Sequence, residues 1–372
     1  MCDYWYSACG NSNSPRMWGK HLEHTLRFDR PGTCFEAHGL EVEKHAKNGS
    51  LEQLFTDPIL ENLVRNSSSR ILLQCSTEYT RVGEEPYSTV YAWLRSHGVP
   101  LDQVIVLTCS DHLAHRARKI WSEPKFVVFD WWEYGPRWWH QNCEPRAKAR
   151  QRFTSLNRRP HEWRAAITHR LRQVPEYWQN AVHTIGNRNY HAIGDDAAHM
   201  IDLVRNHGTG YFNPEIENWA HMWYTHGREI QLPEATSFID NRLYEAARSG
   251  AVNLVIESYP NQSRHSPTEK TYRAYAVARP HVTMGHHNWS ENLLARGYHC
   301  YPWDAEYNHL RDPNERLYAV VQVIERMALM SEKSFKRLVS SVQPTVDHNH
   351  ENWLKRTERD YLVRHMPEEL KP

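Results

Sequence analysis

A short polar segment in the second half of the chain combines residue types that bind anions. It reads SPTEK over residues 266–270 and follows an apolar run typical of a buried strand. Ser266, Pro267 and Glu269 match a capping box, in which Ser266 is the N-cap and Glu269 reaches back to it. The capping box does not explain Lys270, because the helix macrodipole disfavours a cation in the first turn. An anion held between Lys270 and the free N–H groups would explain it, as phosphates are held at helix N-termini.

A second predicted strand-to-helix turn carries two adjacent arginines, Arg158 and Arg159, just before Pro160. Guanidinium groups match phosphate oxygens bidentately, although a solvated surface pair is the plainer interpretation of two arginines alone. Two such turns in one domain, one with Arg-Arg and one with Glu-Lys, favour a diphosphate site. Glu269 would then accept hydrogen bonds from a ribose diol.

These turns need a parallel sheet to position them, and the apolar pattern predicts one in each half of the chain. Strands and helices alternate, which indicates parallel sheets with helices on both faces and ligands beyond the carboxyl ends of the strands. Continuous apolar runs predict strands at 71–76, 104–110, 126–131, 152–156, 251–258, 280–284 and 298–301. Helical spacing predicts helices at 87–97, 160–173, 195–206, 267–278, 290–296 and 315–342.

Composition divides the 372 residues into two domains. Residues 146–172 contain nine Lys or Arg and one acid, so we place the boundary near residue 148. We therefore predict one α/β domain at 1–148, a second α/β domain at 149–342, and a tail at 343–372 that packs back on the first domain. The formal net charge of +1 argues against a general nucleic-acid coat. Without a leader sequence or a long apolar run, and with seven cysteines lacking paired spacing, we expect a cytoplasmic protein with no membrane partner.

The run Thr268-Glu269-Lys270, followed by a helix, Pro280 and a strand that ends at Gly285, resembles a known donor-site motif. It is the motif of inverting glycosyltransferases of the GT-B fold, in the form found in the fucosyltransferase and exostosin families. The turn at 156–161 resembles uncharacterised viral and bacteriophage proteins of the same class. The resemblance covers about residues 150–320 and is specific in these two short blocks, whereas the first half of the chain echoes the acceptor domain only loosely.

The resemblance implies an α/β fold of the GT-B type, in which two Rossmann-like, doubly wound parallel-sheet domains face a cleft. It implies a nucleoside-diphosphate sugar as co-substrate, with no metal and no other cofactor. Carried over, Glu269 holds the ribose, while Lys270 and either Arg158 or Arg159 hold the diphosphate. The donor-binding set is completed by Thr268, Gly285 and His286. The chain departs from the motif at Tyr272, Arg273 and His281, where apolar residues are commoner, so the donor is left open.

An inverting reaction needs a general base on the acceptor hydroxyl, and we expect it in the first domain. Glu78 is the first candidate, because the matching glutamate of the resembling proteins also follows the first buried strand. Asp111 is the second candidate, after the next strand. A helix N-cap or a loop acid is the plainer interpretation of each, and a retaining enzyme would need no such base.

The acceptor is open among glycans, proteins and a hydroxylated base in viral DNA. The basic stretch and two tryptophan pairs would suit a DNA backbone and a flipped base, although packing within the core is the plainer interpretation of the pairs. The same region, 131–172, supports the alternative of a non-catalytic nucleic-acid-binding protein. The tryptophans in question are Trp131, Trp132, Trp138 and Trp139.

Overall fold

A computed structural model describes residues 5–7, 34–75, 81–128, 148–157, 162–185, 241–257 and 267–357 of the chain. The described residues up to 128 form one compact unit, and those from 148 onward form a second. The predicted boundary near residue 148 adjoins 129–147, which lie outside the described residues. Of the predicted tail, 343–357 form a helix of the second unit, and 358–372 lie outside the described part.

The first unit is built on one parallel sheet. Its elements are β1 (Trp5–Ser7), β2 (Cys34–His38), α1 (Gly39–Asn48), α2 (Asp57–Arg65), β3 (Arg70–Cys75), α3 (Tyr87–Ser96), β4 (Val104–Thr108), α4 (Asp111–Ile120) and β5 (Lys125–Val128). The five strands lie in chain order, and every neighbouring pair is parallel. The sheet therefore has no point, among its described strands, at which the direction of strand order reverses.

Side-chain alternation divides this sheet into two faces. Phe35, Ile71 and Val104 are register partners on one face and pack in a single buried core with residues of all four helices. Glu36, between two core residues of β2, points to the opposite face beside Leu72. Helices α1 to α4 therefore cover one face of the sheet, as right-handed crossovers in chain order require.

The second unit has a four-stranded parallel sheet whose strand order reverses. Its elements are β6 (Gln151–Asn157), α5 (Glu162–Arg172), α6 (Pro175–Trp178), β7 (Ala181–Ile185), α7 (Asn241–Ser249), β8 (Gly250–Ile256), α8 (Glu269–Ala276), β9 (His281–Met284), α9 (Trp289–Ala295), α10 (Pro313–Ala328), α11 (Glu332–Ser341) and α12 (Gln343–Thr357). The order is β7-β6-β8-β9, so the chain leaves β6 toward one edge and leaves β8 toward the other.

Helices cover both faces of this second sheet. On one face Phe153, Leu254 and Val282 pack with α5, α10 and α11. On the other face lie Thr154 and its register partner Asn253, under α7 and α8. The outer side of α8 contacts α12, and the ring of His350 donates from Nδ1 to the carbonyl oxygen of Tyr275 at 2.7 Å.

The structure confirms a mixed α/β chain with two parallel sheets, consistent with a two-domain Rossmann-like arrangement. The predicted doubly wound arrangement is wrong for the described strands of the first sheet, because they lie in chain order and their helices cover one face. Two predicted elements are corrected as well. Residues 298–301 are not a strand but lead into a 3-10 helix, Pro302–Glu306, and Tyr298 and Tyr301 are buried among aromatic rings. The helix predicted at 315–342 is two helices, because Ser331 starts a new one by accepting from the N–H of Ser334. Phe126–Val128 is a strand as predicted, but 129–131 and the helix predicted at 195–206 lie outside the described residues.

Candidate anion-binding site at the ends of β6 and β8

The strand order reverses between β6 and β8, so their carboxyl ends form a switch point of the sheet. Ligands of open α/β sheets bind at such a switch point, because the two following connections diverge there. In the sequence, Arg158 and Arg159 follow β6 directly, and Thr268 precedes α8, the helix that follows β8. The topology thus brings both predicted turns to one edge of the sheet. Arg158 and Arg159 themselves lie outside the described residues.

Helix α8 begins two residues later than the sequence predicts. Its N-cap is Thr268, whose hydroxyl accepts from the N–H of Lys270 at 3.5 Å, and Glu269 is the first helical residue. The predicted capping box is therefore wrong, since Glu269 does not stand at the third helical position. Its physical reason is that a different glutamate, Glu257, supplies the acceptors at this helix end.

Glu257 follows the last residue of β8 and ties the strand to the start of α8. Its carboxylate accepts from the N–H of Thr268 at 3.1 Å, from the hydroxyl of Thr268 at 2.5 Å and from the hydroxyl of Thr271 at 2.8 Å. The residue is 4% exposed. A buried carboxylate is tolerated when hydrogen bonds and a nearby cation replace water, and this one has both.

Lys270 is the nearby cation, and it is already paired with carboxylates of the chain. Its Nζ donates to Glu269 Oε1 at 2.8 Å and to Thr268 Oγ1 at 2.9 Å, and it lies 3.8 Å from Glu257 Oε2. The Lys270 side chain is 14% exposed. In this state the anion that the sequence predicts beside Lys270 is supplied by the protein itself.

Glu269 is held in its ionised form. Burial raises its pKa, but the charge and hydrogen bond of Lys270, followed by the charges of Arg273 and Arg164, bring the pKa to about 2. A carboxylate in this state accepts hydrogen bonds and does not donate them. Such an acceptor suits a diol or an amine.

Two buried cations of the site, Arg164 and Arg273, were not predicted. Arg164 is 2% exposed and donates from Nε and Nη2 to the carbonyl oxygen of Ile256, the last residue of β8, at 3.2 Å each. Arg273 is 7% exposed and lies one turn along α8 from Lys270. Its spacing of three residues from Lys270 was the available signal, because such residues share a helix face.

A small recess lies between α7, α8 and the sheet face. Its volume is about 20 Å³, enough for a water molecule. Two of its lining side chains have buried donors without an acceptor, Nε of Arg273 and Nδ2 of Asn253. The residues that line the recess are Thr154, Leu156, Ala247, Asn253, Leu254, Val255, Ile256, Lys270, Arg273 and Ala274.

Gly285 and His286, predicted to touch the donor, have structural roles. A Cβ on Gly285 would lie 2.6 Å from the ring of Trp289, so only glycine fits, and its carbonyl oxygen accepts from Arg316 Nε at 2.9 Å. His286 is 2% exposed, and its ring nitrogens contact the carbonyl oxygen of His287 at 2.5 Å and Asn292 Nδ2 at 3.0 Å. A donor contact of either residue stays a prediction.

The candidate bases of the first unit are only partly described. Asp111 is the first residue of α4, where Ser110 is the N-cap, and only the main chain of Asp111 is described. Glu78 and all four predicted acceptor-binding residues, Trp131, Trp132, Trp138 and Trp139, lie outside the described residues. Sequence reasoning missed Glu36, a half-buried carboxyl on β2 whose pKa burial raises to about 7.

Several arginines of the basic stretch 146–172 have partners inside the second unit. Arg152 donates from Nη1 to the carbonyl oxygens of Ala328 and Met330 at 3.0 and 2.8 Å. The guanidinium of Arg170 lies 4.2 Å from the ring centroid of Tyr318. These cations stabilise the fold, and their engagement does not favour a continuous nucleic-acid-binding surface.

Two kinds of site do not occur among the described residues. No group of three or more His, Cys, Asp or Glu side chains in them is placed to hold a metal ion. None of the helices in those ranges has the length and apolar character needed to cross a membrane.

Comparisons with known proteins identify no family. No protein-family model matches the chain, and no curated protein matches it. Solved structures that match include the crystal structure of a GtfA/B complex, at 8% identity and a TM-score of 0.35, over 87% of this chain and 56% of that chain. The chain thus spans about half the length of that protein, and a likeness at this TM-score carries no argument about function.

Proposed function

We propose that the chain is a glycosyltransferase that moves a sugar from a nucleoside-diphosphate sugar to a hydroxyl acceptor. The observation that carries the proposal is the charge cluster at the switch point. There an ionised glutamate, Glu269, lies beside the cations Lys270, Arg273 and Arg164. A nucleoside diphosphate presents both matching groups, a ribose diol for a carboxylate and phosphates for cations.

Binding of the donor exchanges one set of partners for another. Lys270 gives up a carboxylate contact for a phosphate oxygen, and Glu269 accepts hydrogen bonds from the ribose hydroxyls. When the sugar departs, negative charge develops on the diphosphate, and the fixed cations stabilise it more strongly than they stabilise the intact donor. The Arg158-Arg159 turn after β6 contributes further cations. The charge stabilisation therefore comes from side chains and needs no metal ion.

The acceptor hydroxyl needs a base, and the proposal keeps the two predicted candidates, Glu78 and then Asp111. Direct displacement with such a base inverts the anomeric carbon. A hydroxylated base in DNA remains the proposed acceptor for a viral setting, with Trp131, Trp132, Trp138 and Trp139 as stacking residues.

The proposal is tested by thermal unfolding of the full chain with UDP, GDP, ADP, CMP and their sugars, with and without EDTA. A ligand at 100 times its dissociation constant adds about 2.7 kcal/mol to the free energy of unfolding. We expect one nucleoside diphosphate to stabilise the protein, and its sugar to be consumed when acceptors are supplied. Lys270→Ala should abolish the shift, whereas the exposed Lys336→Ala on α11 should not.

Glu269→Gln separates the ribose role from the phosphate role. It should weaken binding of the nucleoside diphosphate by about tenfold but spare inorganic pyrophosphate, which has no diol. Stabilisation by DNA alone, with no response to any nucleotide, would instead establish the nucleic-acid-binding alternative.

A further inference from the structure

Among the described residues the switch-point cluster carries more positive than negative charge. Its cations are Arg164, Lys270 and Arg273, and its carboxylates are Glu257 and Glu269. Lys270 contacts both carboxylates, and Glu257 is further occupied by two threonines of the α8 start. One positive charge therefore has no carboxylate of its own.

The cation without a hydrogen-bonded partner is Arg273, whose charge lowers the pKa of Glu269 without a hydrogen bond between the two. Arg164 donates to the carbonyl oxygen of Ile256, so two of its N–H groups have acceptors. No hydrogen bond or ion pair is formed by Arg273 within the described residues, and its Nε is buried without an acceptor. A buried arginine in this state is costly, because desolvation of a cation is offset only by charged or polar partners.

The recess under α8 adds a second unpartnered donor. Nδ2 of Asn253 is buried without an acceptor, and Asn253 is 5% exposed. Asn253 and Arg273 line the same recess, at whose rim Lys270 also lies. A recess of this size, lined by an amide donor and a guanidinium donor and with no free carboxylate in it, is complementary to one oxygen of a small oxyanion.

We propose that this recess receives a phosphate oxygen, and that Arg273 holds the phosphate there together with Lys270. The inference rests on the proposed function only for the identity of the molecule that carries the phosphate. Arg273 Nε and Asn253 Nδ2 donate to the oxyanion, and Lys270 exchanges its contact with Glu269 for a phosphate oxygen while it stays near Glu257 at the start of α8. Free phosphate and the phosphates of a nucleotide share this chemistry.

Stability without ligand distinguishes a binding arginine from a structural one. Removal of a structural arginine lowers the melting temperature, because its acceptors are left buried and unpaired. Arg273 has no hydrogen-bonded acceptor and acts on Glu269 only through its charge, so its removal should change the melting temperature only slightly. Asn253→Asp should raise the melting temperature, since it sets a carboxylate beside Arg273 in the recess.

The experiment measures the melting temperature of the full chain while inorganic phosphate, pyrophosphate or a nucleoside diphosphate is titrated at constant ionic strength. We expect a saturable rise in the wild type and at least tenfold weaker binding in Arg273→Gln and in Asn253→Asp. Arg273→Lys should recover part of the affinity. Arg326→Gln, an exposed arginine on α10, is the matched control and should bind as the wild type does.

The outcomes separate the two proposals. Binding of phosphate or pyrophosphate that depends on Arg273, without consumption of any nucleotide sugar, keeps the anion site and removes the transferase. Binding of the nucleoside diphosphate alone, again dependent on Arg273, assigns the phosphates to a nucleotide. The inference is overturned if Arg273→Gln melts several degrees lower without ligand, if it binds as the wild type does, or if no phosphate species stabilises the wild type.

Discussion

The carboxylate of Glu257 accepts hydrogen bonds from both the main-chain N–H and the hydroxyl of Thr268, the residue that caps α8. These hydrogen bonds hold the end of β8 next to the start of α8 directly, in addition to the chain that connects the two elements. Lys270, the next cation along the chain, is oriented by the same carboxylate at 3.8 Å. The geometry of the candidate site is set by this pair, whatever molecule binds there.

Glu257→Ala should destabilise the protein strongly. It leaves the hydroxyls of Thr268 and Thr271 and the Thr268 N–H without their acceptor, and breaking a buried charged network costs about 3 kcal/mol. Urea unfolding of the full chain measures the loss. Glu351→Ala, which removes an exposed carboxylate from α12, should change the free energy of unfolding by less than about 0.5 kcal/mol. Equal effects of the two variants would contradict the anchoring role.

Glu269 should make stability sensitive to acid. Its pKa is about 2 when folded and 4.5 ordinarily, so its contribution is present above pH 4.5 and is lost as pH falls from 4.5 toward 2. The contribution is up to about 3 kcal/mol, because one pKa unit corresponds to about 1.4 kcal/mol and the side chain is only 18% exposed. Urea midpoints between pH 2.5 and 6 should fall less steeply in Glu269→Gln than in the wild type. Parallel curves would show that Lys270 does not hold this carboxylate ionised.

Glu36 should act in the opposite direction. Its folded pKa of about 7 lies above the ordinary 4.5, so the folded state holds a proton that the unfolded chain has lost between these values. The free energy of unfolding therefore falls as pH rises from 4.5 to 7. Glu36→Gln should remove this fall and stabilise the chain at pH 8 by up to about 3 kcal/mol. Glu52→Gln, on an exposed part of the same unit, is the control, and equal gains in both would refute the assignment.

Gly285→Ala should be destabilising, because the added methyl would lie 2.6 Å from the Trp289 ring. We expect a loss of about 2 kcal/mol from overpacking in a filled site. The second variant, Gly285→Ala with Trp289→Leu, makes room for the methyl. The double variant should therefore lose less than the sum of the two single losses, and strict additivity would show that the two residues are not in contact.

The strands that sequence reasoning located best are those with continuous apolar runs. Structure and prediction agree within two residues for β3, β4, β6, β8 and β9. The strand β2 was missed, because Glu36 and His38 interrupt its apolar pattern with ionisable residues. A buried strand is recognised in a sequence by a continuous run of apolar residues. A strand that carries ionisable residues on one of its two faces has no such run.

The site was predicted in part. The turn at 268–270 was located from its residue types, and the strand order then shows that β8, the strand before it, borders the switch point of the sheet. The pairing of Lys270 with Glu257 was not foreseen, since it depends on how α8 packs on β8 and not on spacing along the chain. For the same reason the sequence singled out Arg273 only as a departure from the donor motif. That it is buried and lines the same recess as Asn253 became visible only in the structure.

The contact between α8 and α12 determines where the chain can be shortened. Asn349 of α12 accepts from the N–H of His299 at 2.7 Å and donates to its carbonyl oxygen at 2.9 Å, while His350 donates to Tyr275 of α8. A chain cut before residue 343 would strip the outer side of α8 and leave Tyr275 facing water. Truncations and carboxyl-terminal tags should therefore begin beyond residue 357.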